Sequence, residues 1–448
     1  MSQLRELLRL AAPLIAAQIG NQMMTLVDTA MVGRLGSTAL AGVGIGGGLF
    51  FTITLLGFGI VLGMDAPVSQ SVGAQELARA RRLLWNGFYV AIIATLPLSV
   101  AVAFSPAILE PAGVQHEIAQ IAREYLWGRV PNVLPFLLFA VLRSYLQALH
   151  VTRPMIVATV LGNVANAIGN ALFIWGDKAL LYFHLPAVGL PALGALGSAL
   201  SSSVSSFIMC VPLYVAVLGV ETPEDPERRR FDRGLSGTIL KLGVPVGLTI
   251  LAEVGVFTIV NVLTGQLGPA VSAGHQIAIQ LASFSFTITL GIATATSVLV
   301  GHAIGRGDTP GARRAGLDGL KASLIVMSTS LLAFLLVPGL VARILTDDRD
   351  VVVAAIPLIQ IAGLFQLSDG TQSTMAGALR GAGDTRAPLL ANIVGHYVVG
   401  LPIALAFAFL GKMGAVGLWW GLSAGLTAVA IGLVLRFLVL TSRKIERV

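Results

Sequence analysis

VGRLGSTALAG at 32–42 returns as TGQLGPAVSAG at 264–274, 232 residues further along the chain. The same spacing separates Pro13 from Pro245, Gly73 from Gly305 and Ala80-Arg81-Arg82 from Ala312-Arg313-Arg314, and it becomes 233 where Thr152-Arg153 meets Thr385-Arg386. A register held over so long a stretch marks an internal duplication. Around these anchors lie long apolar runs, at roughly 7–32, 40–64, 84–106, 125–148, 155–176 and 189–219 in the first copy. The second copy has its own six, at about 239–264, 271–300, 321–345, 353–378, 388–410 and 415–438. Each is long enough for a helix to cross roughly 30 Å of hydrocarbon. The pattern predicts an all-α integral membrane protein with twelve transmembrane helices in two six-helix bundles related by pseudo-two-fold symmetry. Six crossings return the chain to its starting side, so the copies have parallel topology about an axis along the membrane normal. The expected division is residues 1–220, a cytoplasmic linker at 221–238 that includes ETPEDPERRRFDRG, and residues 239–448.

Composition agrees with that class. Hydrophobic residues make up 55% of the chain and charged residues 11%, and the mean hydropathy is +0.85, far from a soluble domain. The single cysteine, Cys210, cannot form an intramolecular disulfide, and no Cys/His string has zinc spacing. No cofactor is expected. A net charge of +7 would point to nucleic acid in a soluble protein, but here the basic residues fall in short loops between apolar runs, where they set topology. With both termini in the cytoplasm, 22 of the 29 Lys and Arg residues lie inside. Only Arg34, Arg123, Arg129, Lys178, Arg343, Arg349 and Lys412 lie outside, beside the acidic Asp347, Asp348 and Asp350. The reading is a multi-pass protein of a bacterial cytoplasmic (inner) membrane, with no nucleic-acid partner. Arg5 and Arg9 ahead of the first apolar run have the look of a secretion signal. The repeat argues against cleavage, because Pro13 is the counterpart of Pro245.

Three carboxylates stand within the apolar runs: Asp28, Glu253 and Asp369. A charge at the bilayer centre costs about 2.5–3.5 kcal/mol even on a lenient scale, so such groups usually face an internal cavity and carry ions or protons. In the first helix Asn21, Thr25 and Asp28 share a face; in the fifth, Asn163, Asn166 and Asn170 do the same. Amide and carboxylate oxygens suit a proton or a small hard cation such as Na+. Asn163 reads equally as helix-packing glue. The second copy offers Gln276, Gln280, Ser283 and Thr287 on the eighth helix, and Asn392 with His396 on the eleventh, near Glu253 and Asp369. The coupling set is therefore Asp28, Asn166, Asn170, Glu253 and Asp369. A cation would sit at Asp28, Asn166 and Asn170 or at Glu253 and Asp369, and the lining of a central cavity between rocking halves would be Asn21, Thr25, Gln276, Gln280, Asn392 and His396. Asp65 is expected to bond local backbone, and His275, His302 and His396 to satisfy local hydrogen bonds. GIGGG at 44–48 and SALSSSVSS at 198–206 are read as close helix packing.

On VDTAMVGRLG (27–36), Ser69-Gln70 to Gly73, GNVANAIGNALFIWG (162–176), LAEVGVF (251–257) and QLSDGTQSTMAGALRGAGDTRAP (366–388), the chain resembles the multidrug and toxic compound extrusion (MATE) family, in its NorM-type branch. The resemblance covers essentially the whole length. It implies cation coupling through the first-helix aspartate and fifth-helix amides, here Asp28, Asn166 and Asn170, and through a seventh-helix glutamate and tenth-helix aspartate, here Glu253 and Asp369. It also implies that the substrates are amphiphilic, often cationic drugs or toxic organic cations, exchanged for Na+ or H+ by a monomer in the lipid bilayer. Ala171 to Gly176 contain no acid, so the extra fifth-helix aspartate of the archaeal, DinF-like branch is missing. A lipid-linked oligosaccharide flippase would call for a cationic cavity, whereas the intramembrane charge here is acidic. An intramembrane enzyme lacks support, since no HExxH and no DDxxD cluster occurs.

Overall fold

The computed structural model describes residues 3–182, 184–223 and 225–448. Among them are twelve helices long and apolar enough to cross a membrane, and no strand. They are α1 (Arg5–Gly33), α2 (Ser37–Gly73), α3 (Leu77–Ile108), α4 (His116–Ala148), α5 (Arg153–Trp175) and α6 (Gly194–Leu218), followed by α7 (Arg233–Gly265), α8 (Pro269–Gly305), α9 (Thr309–Leu336), α10 (Arg349–Gly381), α11 (Arg386–Leu410) and α12 (Ala415–Leu440). The expected all-α, twelve-helix architecture is present. Several helices run beyond their apolar stretch. The ninth starts at Thr309 rather than 321, because Asp308 accepts the Gly311 N–H at 2.8 Å and a proline occupies the first turn. Arg313 and Arg314 then ride on a polar helix end. The same helix stops at Leu336 instead of 345, ahead of Pro338.

The duplication extends to backbone geometry. Gly36 before α2 has φ 115° and ψ 169°, and Gly268 before α8 has φ 110° and ψ 159°. Gln75 and Gly307 share a left-handed turn at φ 62° and 73°, as do His150 and Gly383 at 60° and 82°. An L side chain in that region costs roughly 1–2 kcal/mol. The second copy has glycine where the first keeps its side chain.

By contact the chain falls into two compact units, each discontinuous in sequence. One holds the chain up to Ile15, Asp65–Glu76 and Leu248–Val448; the other holds Ala16–Met64 and Leu77–Gly247. Helices α1 and α7 change unit at equivalent points, after Ile15 and after Gly247, two residues beyond Pro13 and Pro245. Proline removes a backbone donor and crowds the preceding turn, which weakens the helix there. In the second unit Gly59 of α2 lies on the backbone of Gly247 and Gly63 on that of Gly243, with no room for a Cβ. The equivalent contact in the first unit seats Gly291 of α8 on Ile15. In lipid no hydrophobic drive pulls helices together, so close approach of small residues supplies the packing.

The linker lies down on α3. Arg82 Nε donates to Asp225 at 2.5 Å, and Tyr89 Oη donates to the Arg229 carbonyl at 2.5 Å. Asn86 Oδ1 accepts from Asp232 N at 2.8 Å and from Ser236 Oγ at 2.9 Å, while the Phe231 ring meets Tyr89 edge-on at 5.7 Å. The hydrogen bond from Arg82 holds the Asp225 carboxyl below the usual aspartate range. A depressed folded-state value means that the contribution is complete at neutral pH and is lost as pH falls through that value. The protection of the amides of residues 225–236 against hydrogen exchange, relative to an unstructured chain at the same pH, is therefore expected to be high at pH 7 and to fall below the ordinary aspartate range. Arg82→Gln should make protection low at both; equal protection of wild type and variant at pH 7 would contradict the anchor.

Candidate functional site

The first polar site belongs to α1, α5 and α6. Asn170 Nδ2 donates to Asp28 Oδ1 at 2.5 Å and to Asn166 Oδ1 at 3.2 Å. Ser202 Oγ donates to Asp28 Oδ2 at 3.2 Å. Asn166 and Asn170 are fully buried. Helices α5 and α6 come close enough for this because Ser201 donates to the Asn166 carbonyl at 2.9 Å and packs where Gly169 has no side chain. Asn170 Oδ1 and Asn166 Nδ2 are buried with no hydrogen-bond partner. The guanidinium of Arg129 lies over the Phe50 ring at 4.2 Å and acts electrostatically on Asp28. The arrangement can hold Asp28 as an anion through two donors, and it keeps an amide oxygen in reserve for a cation.

Sequence spacing brought Asp28, Asn166 and Asn170 together correctly, and it missed Ser202. The SALSSSVSS run serves both purposes: Ser203 donates to the Gly128 carbonyl at 2.9 Å as packing, while Ser202 joins the site. Asn21 and Thr25 stay apart from it. Thr25 Oγ1 turns back to the Asn21 carbonyl at 3.4 Å, and neither side chain bonds Asp28. Asn163 is glue, donating to the Gly20 carbonyl of α1 at 3.0 Å.

The second site belongs to α7 and α10. Gln372 Nε2 donates to Glu253 Oε2 at 3.4 Å, and Gln372 Oε1 is buried without a partner. Asp369, one turn before Gln372, is 5% exposed and feels the Glu253 charge. Among the described residues neither acid has a cation partner. Two carboxylates and an amide oxygen form a hard oxygen donor set, suited to a proton or a small cation. Gln276 and Gln280 of α8 are exposed. Gln276 Nε2 donates to Asn261 Oδ1 of α7 at 2.6 Å, a partner that no spacing argument had singled out. On α11, Asn392 Nδ2 donates to the Pro388 carbonyl at 3.2 Å, but its Oδ1 has no partner. His275 accepts from Trp419 Nε1 at 3.1 Å. His396 departs from expectation, since it is 1% exposed and neither ring nitrogen is bonded; it lies in a π-helical stretch that shifts its register.

Asp65 does more than bond local backbone. Its carboxylate pairs with Arg380 of α10 at 3.2 Å, both side chains being largely buried. Nearby, Gln70 Nε2 donates to the Gly381 carbonyl at 3.1 Å, and its Oε1 accepts from Val448 N at 2.9 Å. Arg447 pairs with Glu76 at 2.8 Å. Removing one partner of a buried pair leaves the other uncompensated, at a cost on the order of 3 kcal/mol. Asp65→Asn and Arg380→Gln are each expected to lower the melting temperature in detergent. The double variant should lose less than their sum, and strict additivity would argue against the pair.

A family model described as MatE matches residues 13–172 and 245–406, beginning at the two equivalent prolines and thus twice along the chain. The chain belongs to the MATE family. A relative from Deinococcus radiodurans, named probable multidrug resistance protein NorM, is 35% identical across 98% of this chain and 96% of its own. Multidrug resistance protein NorM of Burkholderia vietnamiensis is 34% identical, over 97% of this chain and 93% of that one. Among solved structures, the outward-facing conformation of a multidrug resistance MATE family transporter superposes with a TM-score of 0.87 at 20% identity, covering 99% of this chain and 96% of the other. A eukaryotic MATE transporter gives 0.84 at 20% identity, covering 98% and 96%. These structures share the fold. This MATE protein is a multi-pass membrane transporter and not an enzyme. Its GLSAG string at 421–425 has the spacing of a hydrolase nucleophile elbow, but it lies in mid-helix of α12 instead of at a strand-to-helix turn. Gly421 and Gly425 there pack against Ala404 and Gly395 of α11.

Proposed function

We propose that this protein is a cation-coupled multidrug efflux antiporter of a bacterial inner membrane, with both termini cytoplasmic. It expels amphiphilic, often cationic compounds in exchange for inward Na+ or H+, as a monomer. The observation that carries the reading is the pair of acidic sites inside membrane-spanning helices: Asp28 with Asn166, Asn170 and Ser202, and Glu253 with Asp369 and Gln372. Each combines carboxylate with an unpaired amide oxygen. The names of the NorM relatives support drug as cargo, and the bias of 22 in 29 basic residues supports the orientation.

The repeats 1–220 and 239–448, joined by 221–238, supply the two bodies that alternate in access, each body taking in the opening stub of the other repeat. Cation loads at the acidic residues from outside, drug affinity falls, drug leaves and the transporter turns inward. Each net charge moved inward through 100 mV releases about 2.3 kcal/mol, which drives export of neutral cargo, while one-for-one exchange with a monovalent cationic drug moves no net charge and is driven by the ion gradient. Linkage requires that bound drug weaken cation binding by the same factor.

Purified protein in proteoliposomes, with dye movement followed first under an imposed sodium gradient and then under an imposed pH gradient, tests the reading. Export should follow at least one gradient. Glu253→Gln and Asp369→Asn should abolish it in protein that remains monodisperse. Wild-type export by both variants in everted vesicles would overturn the proposal.

A further inference from the structure

Helix α11 contains two π-helical stretches, Ile393–Gly400 and Ala406–Leu410. Each π turn adds a residue to the turn and rotates everything after it, and such turns concentrate at functional positions. The repeat reveals what the first of them displaces. In the first copy, Asn163 of α5 donates to the carbonyl of Gly20 on α1 at 3.0 Å. The offsets of 232 and 233 place Gly20 on Ala252 and Asn163 on His396. In the second copy the Ala252 carbonyl is indeed gripped, at 2.8 Å, but by the hydroxyl of Tyr397, one position further on. His396 is left buried with neither ring nitrogen bonded.

Helix α7 is shaped for this contact. Gly255 sits beside Tyr397, and a Cβ there would lie 2.5 Å from the phenol oxygen. The hydroxyl reaches the Ala252 carbonyl because that side chain is missing. Ala252 immediately precedes Glu253, whose carboxylate has one long bond, 3.4 Å from Gln372. Asp28 differs, since it is held directly by two donors and lies two turns beyond the Gly20 carbonyl. The second copy therefore has little side-chain restraint on its glutamate and a firm backbone restraint next to it.

We propose that Tyr397 is a positioning residue for Glu253: its grip on the Ala252 carbonyl fixes the turn of α7 from which Glu253 projects, and so sets the affinity of that site for the coupling cation. This rests on the reading of Glu253 as a coupling residue. On α10, Asp369 is the acid that feels the Glu253 charge, whereas the hydrogen bond of Tyr397 goes to the α7 backbone. Loss of the grip widens the set of orientations available to the Glu253 carboxylate. Occupancy then requires more cation, while the later steps proceed at their usual rate.

Dye export by the full chain in proteoliposomes is measured against Na+ at fixed pH, and against H+ without Na+. Tyr397→Phe is expected to raise the cation concentration for half-maximal export about three- to tenfold, the range of one hydrogen bond, with the maximal rate within about twofold of wild type. Gly255→Ala keeps the phenol and pushes it off the carbonyl, so it should reproduce the shift; it also decides the matter where Tyr397→Phe fails to fold. Unchanged half-saturation in the variants, or a lower maximal rate at unchanged half-saturation, overturns the positioning role provided that Glu253→Gln is inactive. Wild-type export by Glu253→Gln overturns the coupling reading instead.

Discussion

A carboxylate within hydrocarbon has no water to stabilise it, so the protein must supply its donors or its counter-ion. Most of the local structure around Asp28 follows from that requirement. Donors come from two helices, Asn170 on α5 and Ser202 on α6, and both reach the same side chain only if α5 and α6 pack very closely. Ser201 and Gly169 make that approach, with Ser201 also bonding the Asn166 carbonyl. The second site meets the requirement less completely. Glu253 has a single distant amide donor and an acidic neighbour in Asp369. The two copies of one ancestral fold thus hold their acids in different ways, the first by side-chain donors and the second with help from fixed backbone.

The amino-acid sequence displays the helix count and the duplication plainly, because spanning a bilayer demands long apolar runs and a repeat keeps its spacing. Helix ends were less legible. Apolar content marks the hydrocarbon layer, whereas α9 continues through Arg313 and Arg314 until its cap at Asp308. Helical spacing also placed Asn166, Asn170 and Asp28 in one cluster, since residues three, four and seven apart share a face. It failed for Asn21 and Thr25, which share that face without turning to the acid.

What stayed hidden is what depends on distant partners or on local register. The Asp65–Arg380 pair joins positions far apart in the chain, and no periodicity connects them. Ser202 was masked by serine neighbours that serve packing. The π turn in α11 is invisible to a 3.6-residue pattern, and it moves the role of one position onto the next, from His396 to Tyr397. A one-residue slip of this kind can be found only when two copies are compared in three dimensions.

The exchange of α1 and α7 between units has a consequence for how the protein is made. Each copy of the repeat lends its opening helical stub to the other unit. A ribosome that has finished only the first six crossings has produced a body whose first segment awaits neighbours still to be synthesised, and whose missing segment is the next to emerge. Assembly is therefore coupled between the two repeats, and a gene bisected at the linker would encode two fragments, each carrying a piece of its partner.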